Sequence, residues 1–383
     1  MLCYVLLILT MEQKKDRLKS LDILRGFDLF LLVGLQPVLW QLCAHPQTQF
    51  GTALRTQLDH AVWQGFNCWD IVMPLFLFMS GITIPFAFAK YHNKSERKGF
   101  SLWWKIVKRF FLLFLLGWIV QGNLLAFDCH QFRIFSNTLQ AIAVGYLVAT
   151  ITYLFLKPRW QIILATVFLI SYWVVFATIG HNNYSPTDNI ACLIDNAVLG
   201  RFKDGVVWQN GKWTFSQDYT YTWILSSLNF CVTVMLGTFA GLILRHPFPP
   251  KNKVKYLSFI GFGLIAAGLL LSLNQPIIKR LWTSSMTLFS GGICFVLMAL
   301  FFYVIDVKKW EKPFTWLKIY GMNSIAAYVL YETVNFRSVG QSLLYGTAQF
   351  LGDYYPVLIE ATQVGIVFGI LLLLYKNNYF IKI

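Results

Sequence analysis

Apolar runs of about 18 to 23 residues, separated by short charged stretches, recur along the whole chain and constrain its fold before any motif is considered. At about 1.5 Å per residue, a helix of about 20 residues crosses the ~30 Å hydrocarbon core of a bilayer. No water reaches that depth, so a spanning segment must satisfy its own backbone hydrogen bonds. The pattern predicts an all-α, polytopic transmembrane helical bundle of about ten spans, at 21–41, 68–89, 103–122, 137–156, 160–179, 222–244, 255–274, 285–305, 315–333 and 355–375. Of the 383 residues 57% are hydrophobic and only 13% charged, which leaves no stretch for a soluble domain. The expected organisation is a cytoplasmic segment over 1–20 and one transmembrane domain over 21–383, with a long outer loop at 181–221 that carries Asn, Asp, Gly and Trp.

Basic loops resist translocation, so the placement of Lys and Arg gives the orientation. Most of the 32 basic residues fall on one side, in the stretches from Lys14 to Lys19, Lys90 to Arg109, Arg245 to Lys255 and Lys308 to Lys318. Arg55, Arg133, Arg201, Lys203, Lys212, Lys279, Arg280 and Arg337 fall on the other. Both termini are therefore expected in the cytoplasm. The formal charge of +15 is explained by topological anchors that also face anionic lipid headgroups, and needs no nucleic acid.

The seven cysteines form no CxxC pair, which indicates neither a metal site nor a disulfide framework; Cys129 and Cys192, both in outer loops, leave a pairing open. Met1 to Thr10, "MLCYVLLILT", is apolar but too short to span and lacks a signal-peptide pattern, which makes Met11 an alternative start.

Charges at membrane depth are costly, so each asks for a partner or a purpose. In "RLKSLDILRGFDL", Asp22, Arg25 and Asp28 are spaced so that Arg25 can pair with a carboxylate on either side. That fits a self-neutralised helix end, and equally a cationic contact for a phosphate. On the outer side, His60, Trp63 and Asp70 precede and open the second span. A neutral imidazole can take the proton of an attacking amine near pH 7, and a carboxylate can orient it. In the ninth span, Asn323, Ser324 and Tyr328 lie among small residues and Glu332 ends the run; such polar groups glue helices together or line a shared cavity. The chain contains no GxxxxGK[ST], HExxH or GxSxG motif and no pair of broken helices repeated between two halves.

"RLKSLDILRG" (Arg17 to Gly26) resembles the RxxSxDxxRG opening of membrane acyltransferases, and "HAVWQGFNCWDIVMPLFLFMSG" (His60 to Gly81) resembles the HxxWxGxxxxDxVxPxFxFxxG element of the heparan-alpha-glucosaminide N-acetyltransferase family. Further likenesses follow in order at "RIFSNTLQAIAVGY" (Arg133 to Tyr146), "IDNAVLG" (Ile194 to Gly200), "LSSLNFCVTVMLGTFAG", "LWTSS" and "YGMNSIAAYVLYE". The resemblance implies a transmembrane acyltransferase domain that moves an acetyl group from cytosolic acetyl-CoA, a co-substrate, to an outward-facing amino sugar or glycan. It implies His60 as general base, with an acetyl-imidazole as the alternative route. Asp70 and Gln36 join His60 as catalytic candidates. Arg25, Lys105, Arg109, Asn323 and Ser324 are candidates for the donor, and Trp63, Arg133 and Glu332 for the acceptor. No metal is expected. Membrane lipids are expected partners, a homodimer is compatible with the reading, and the expected setting is a bacterial inner membrane.

Departures from the family pattern cluster on the outer side. Gln36 stands where the family has an Asn linked to catalysis, the 36–60 segment is longer than in the animal enzymes, and "YTYTW" replaces the family's YDPEG. They leave the acceptor open. The rival reading is a transporter or flippase in which Asp70, Arg25 and Glu332 line a pathway; a third is an acyl-binding protein without turnover.

Overall fold

The computed structural model describes residues 18–45, 48–92, 99–179, 184–186, 188–215 and 221–381. Met1–Thr10, Met11, Arg17 and part of the 181–221 loop, His181 included, lie outside the described residues.

The chain begins with α1 (Lys19–Phe30), a π-turn at Leu31–Leu35, α2 (Gln36–Leu42) and α3 (Gln49–Gln57). A 3-10 turn at Cys68–Ile71 enters α4 (Val72–Ala87), followed by α5 (Phe100–Val120), α6 (Thr138–Phe155), α7 (Pro158–Ile179) and α8 (Ile190–Leu199). Two strands, β1 (Val206–Gln209) and β2 (Lys212–Phe215), precede α9 (Ser227–Arg245), α10 (Pro250–Ser272) and α11 (Ser284–Phe301). The chain closes with α12 (Thr315–Met322), α13 (Ser324–Thr333), α14 (Phe336–Leu344) and α15 (Tyr355–Lys376).

Eight helical segments among the described residues are long and apolar enough to cross a membrane: Lys19–Leu42, Cys68–Ala87, Thr138–Phe155, Pro158–Ile179, Ser227–Arg245, Pro250–Ser272, Ser284–Val307 and Phe336–Lys376. Two expected spans are not among them. The 103–122 run is helical as α5, but Lys105, Lys108 and Arg109 fall in its first half. The 315–333 run is broken at Asn323 (φ −124°, ψ 36°) into helices of 8 and 10 residues, each too short to span. The π-turn has a local cause as well. Pro37 has no N–H to return to the preceding turn, so the first span widens there and resumes at Gln36.

Contacts divide the chain into two compact units. In the larger, Val62–Gly65 with Met73–Ala299, α9 packs on α6, α7 and α10. Glycines set its contact with α4: a Cβ on Gly81 would strike the Val234 carbonyl and one on Gly237 the Phe78 carbonyl. Trp282 is buried at φ 53°, and its indole donates to Thr233 Oγ1 at 3.2 Å. The hairpin turns at Asn210 (φ 52°) and Gly211 (φ 74°), the two left-handed residues that a tight two-residue turn demands, in register Trp208 opposite Trp213.

The smaller unit comprises Arg17–Ala61, Phe66–Val72 and Leu300–Ile383. Here α12 lies on α1, and α15 packs against α14 and α2. Lys19 pairs with Glu311 at 2.8 Å and the Ser20 N–H donates to Asp306 Oδ2 at 3.2 Å, which ties the start of α1 to the segment after α11. A Cβ on Gly26 would collide with the Leu317 carbonyl and one on Gly321 with the Asp22 carbonyl. We expect Gly26→Val or Gly321→Val to cost at least the 1–3 kcal/mol typical of overpacking. Gly263→Ala, with open space at its Cβ, is expected to leave the midpoint of thermal unfolding in detergent unchanged.

Candidate functional site

Asp70 sits in the helical entrance Cys68–Ile71 and is fully buried. A carboxylate out of water needs donors around it, and the local fold supplies them. Asp70 Oδ2 accepts from the Asn67 N–H at 2.9 Å, the reach-back of a capping-box acid, and from the Ala61 N–H at 3.2 Å. Oδ1 lies 2.9 Å from His60 Nδ1. An ionised carboxylate can only accept; against it Nδ1 carries the proton, and in a neutral ring Nε2 then holds the lone pair. The geometry is that of an imidazole held by a carboxylate, the ring half-buried at 34% side-chain exposure and the carboxylate at 0%.

The loop around the pair is fixed from both ends. Asn67 Nδ2 donates to the carbonyls of Thr56 (2.8 Å) and Asp59 (3.0 Å), and the Cys68 N–H donates to Gln57 Oε1 at 3.1 Å. The His60 N–H donates to Asp59 Oδ1 at 2.7 Å, which gives Asp59 a backbone duty. Gln36, the first residue after the π-turn, reaches Leu58 O with its side-chain amide at 3.4 Å. His60, Asp70 and Gln36 are thus brought together through two residues the sequence reading left without a role, Asn67 and Leu58. A polar Asn three positions before an Asp at a span entrance was the available signal for Asn67.

The remaining candidates have other neighbours. Trp63 belongs to the larger unit, where its indole donates to Tyr184 O at 2.7 Å. Arg133 pairs with Asp204 at 2.7 Å. Arg25 lies 3.9 Å from Asp22, not Asp28, whose buried oxygens have no hydrogen-bond partner among the described residues. Lys105 is exposed, 5.7 Å from the Tyr91 ring centroid, and Arg109 stacks 4.3 Å above that of Tyr146. Asn323 is fully buried and both ends of its amide are taken: Nδ2 donates to Tyr379 O at 3.1 Å and Oδ1 accepts from the Ile381 N–H at 2.9 Å. Ser324 is half-buried and Glu332 exposed at the end of α13. A cavity of about 500 Å³ in the smaller unit is lined by Lys19, Lys318 and Lys376 with Asp22, Tyr375 and Phe380, three cations drawn together from distant parts of the chain.

Cys129 and Cys192 are free thiols, so the pairing left open by the sequence is not made. Asp128, Cys129 and His130 place possible metal-ligating atoms within 4.8 Å of one another. Their carboxylate is already engaged by His130 Nδ1 at 3.0 Å, and we assign this exposed group no role.

In the segment between α7 and α9, Asp195 is buried and accepts from the Trp223 (2.7 Å) and Ile224 (2.9 Å) N–H groups, fastening α8 to the segment that enters α9. Burial pushes its carboxyl from 3.8 up to about 6, against those two N–H groups and the Lys203 ammonium, which pull it down.

A helical membrane protein with a carboxylate-held histidine at the mouth of a span is the class that these features define. The heparan-alpha-glucosaminide N-acetyltransferase catalytic family matches residues 17–194. Curated proteins of that name from Mus musculus and Homo sapiens are 26% and 27% identical, over 85% and 82% of this chain and 55% and 53% of their own lengths. The chain is similar to this family over those residues, and it spans about half the length of the curated proteins it matches.

Because the native fold holds the Asp195 proton more tightly than the unfolded chain does, stability is expected to fall as pH rises from about 4 to about 6 and to level off above. Thermal unfolding across that window should show the slope, and Asp195→Asn should flatten it.

Proposed function

We propose that the chain is a transmembrane acyltransferase that takes an acetyl group from acetyl-CoA on the cytoplasmic side and places it on the amine of an amino sugar or glycan on the other, in a bacterial inner membrane. The observation that carries this reading is the 2.9 Å contact between His60 Nδ1 and the buried carboxylate of Asp70. The family match supports acetyl transfer as the chemistry, since the relatives' name describes an N-acetyltransferase acting on a glucosaminide.

In the reaction so proposed, the acceptor nitrogen attacks the thioester carbonyl carbon, an N–C bond forms and the C–S bond breaks. His60 Nε2 takes the amine proton and returns it to the departing thiolate, so the products are the N-acetylated sugar and free CoA thiol. Asp70 stabilises the imidazolium that exists between those two proton transfers and keeps the ring in its Nδ1–H tautomer. The direct route needs only proximity and one proton carrier, and we prefer it to an acetyl-imidazole. Gln36 acts as a positioning residue through Leu58 O.

For the donor, the lysine-lined cavity of the smaller unit adds Lys318 and Lys376 to Arg25 as cations for the CoA phosphates, and Lys105 and Arg109 keep the donor role that the sequence resemblance gives them. Asn323 and Ser324 stay on the donor side, Asn323 by holding the chain at Tyr379 and Ile381. Trp63, Arg133 and Glu332 remain on the acceptor side of the proposal.

His60→Ala should lower acceptor-dependent thiol release by the ~10²–10⁴-fold of a lost general base, with the thermal midpoint retained. Full activity in that variant would remove His60 from the mechanism. Asp70→Asn should fall between wild type and His60→Ala. Lys318→Ala with Lys376→Ala should raise KM for acetyl-CoA several-fold while leaving kcat unchanged; an unchanged KM would take the cavity out of donor binding.

A further inference from the structure

The larger unit contains a second cavity, about 260 Å³, enclosed by α7, α9, α10 and α11. Its walls are apolar, with Ala165, Leu236, Ile243, Leu264 and Phe295 among them. Of the two lining hydroxyls, that of Thr166 donates to Ile162 O at 3.0 Å, which leaves Tyr256 to give the site its polarity. Such a volume lies below the roughly 300–1,000 Å³ of pockets for drug-sized ligands and suits one narrow flexible chain better than a ring system. The helices that flank it, α7 and α10, have the smallest buried share of the candidate spans, 17% of the residues of the most apolar stretch of each, so the cavity adjoins the hydrocarbon of the bilayer.

The cavity's end is marked by charge. Its lining residues Ile162, Ile243 and Tyr256 each stand within one helical turn of a cation, Arg159, Arg245 and Lys255 respectively. Lys157 and Lys251 join them, and neither 157–179 nor 245–274 contains an Asp or Glu. Lys157, Arg159, Lys251 and Lys255 are exposed and form no ion pair among the described residues. Arg245 reaches Tyr153 OH at 3.5 Å, which leaves most of its donors for another acceptor. The ring of Tyr256 packs at a tilt on Phe248, centroids 5.1 Å apart, and Phe248 in turn lies tilted against His246 at 3.9 Å.

We propose that this is a binding site for one anionic phospholipid of the leaflet beside the basic loops, its acyl chain in the cavity and its phosphate at Tyr256, Arg245, Lys251 and Lys255. An apolar slot alone would accept any tail. The rim of unpaired cations is what selects an anionic head.

The test uses the full chain, stripped of lipid by extended detergent washing, then offered dioleoyl phosphatidylglycerol or dioleoyl phosphatidylcholine and weighed by native mass spectrometry. One phosphatidylglycerol should bind in preference to phosphatidylcholine. Lys251→Ala with Lys255→Ala should reduce that preference roughly 30-fold, two surface cations having been lost. Ala165→Trp, which fills the slot, should abolish binding of both lipids. Should that variant fail to fold, a phosphatidylglycerol with a diazirine in its acyl chain is to be photolysed on the unaltered protein, and its label should fall within 162–169, 232–243, 256–264 or 288–295. Equal occupancy by the two lipids, undiminished binding after Ala165→Trp, or labels confined to other segments would each overturn the proposal.

Discussion

At membrane depth there is no water to satisfy a polar group, so each buried donor and acceptor must find its partner within the protein. Asp70 shows the rule at its most demanding. Its carboxylate is wholly buried, and the chain on its N-terminal side bends so that two backbone N–H groups and the His60 ring converge on it. The short turn at Cys68–Ile71 adds the N-terminal end of a helix, where a negative charge is favoured. A histidine held in this way has a fixed tautomer and a fixed ring plane. The ring that donates to the buried carboxylate keeps a second nitrogen free of that contact, and the proposed proton transfer rests on that nitrogen.

The same requirement accounts for motif residues that carry no chemistry. Asn137 caps α6 and donates to Gly117 O at 2.7 Å, while Gln140 bridges the Ser136 N–H and the Ile134 carbonyl at 2.8 Å each. Asn229 donates to Trp282 O at 2.7 Å, and Gln275 Oε1 accepts from the Ser284 N–H at 2.9 Å. These side chains supply partners at points where the backbone of the larger unit leaves a regular helix. Asn323, at the break between α12 and α13, does so for the chain after α15, at Tyr379 and Ile381.

The spans and the histidine–carboxylate pair were legible in the sequence for different reasons. Apolar runs report burial in lipid directly, and eight of the expected segments reappear as span-length helices. The break at Asn323 was not legible, since Ser, Ala and Gly around an Asn read the same in a continuous helix. The pair rested on residue types, but its geometry depends on a bend through which Asn67 and Gln57 hold the loop, contacts that no periodicity reveals. The hairpin had a clear signal in Asn210-Gly211 between residues rich in Val and Trp, one that a search for spans passes over. Lys318 and Lys376 escaped because each looks like a topological anchor until the fold brings them to one cavity.

The measurement that bears most directly on the account is free-thiol release by the purified, unaltered protein given acetyl-CoA, with and without glucosamine and its oligomers. The account predicts thiol release that depends on acceptor, matched by N-acetylated sugar in equal amount. No thiol with any amino sugar from a folded protein, together with substrate uptake or counterflow when it is placed in liposomes, would contradict it and make the polar residues at depth parts of a transport path.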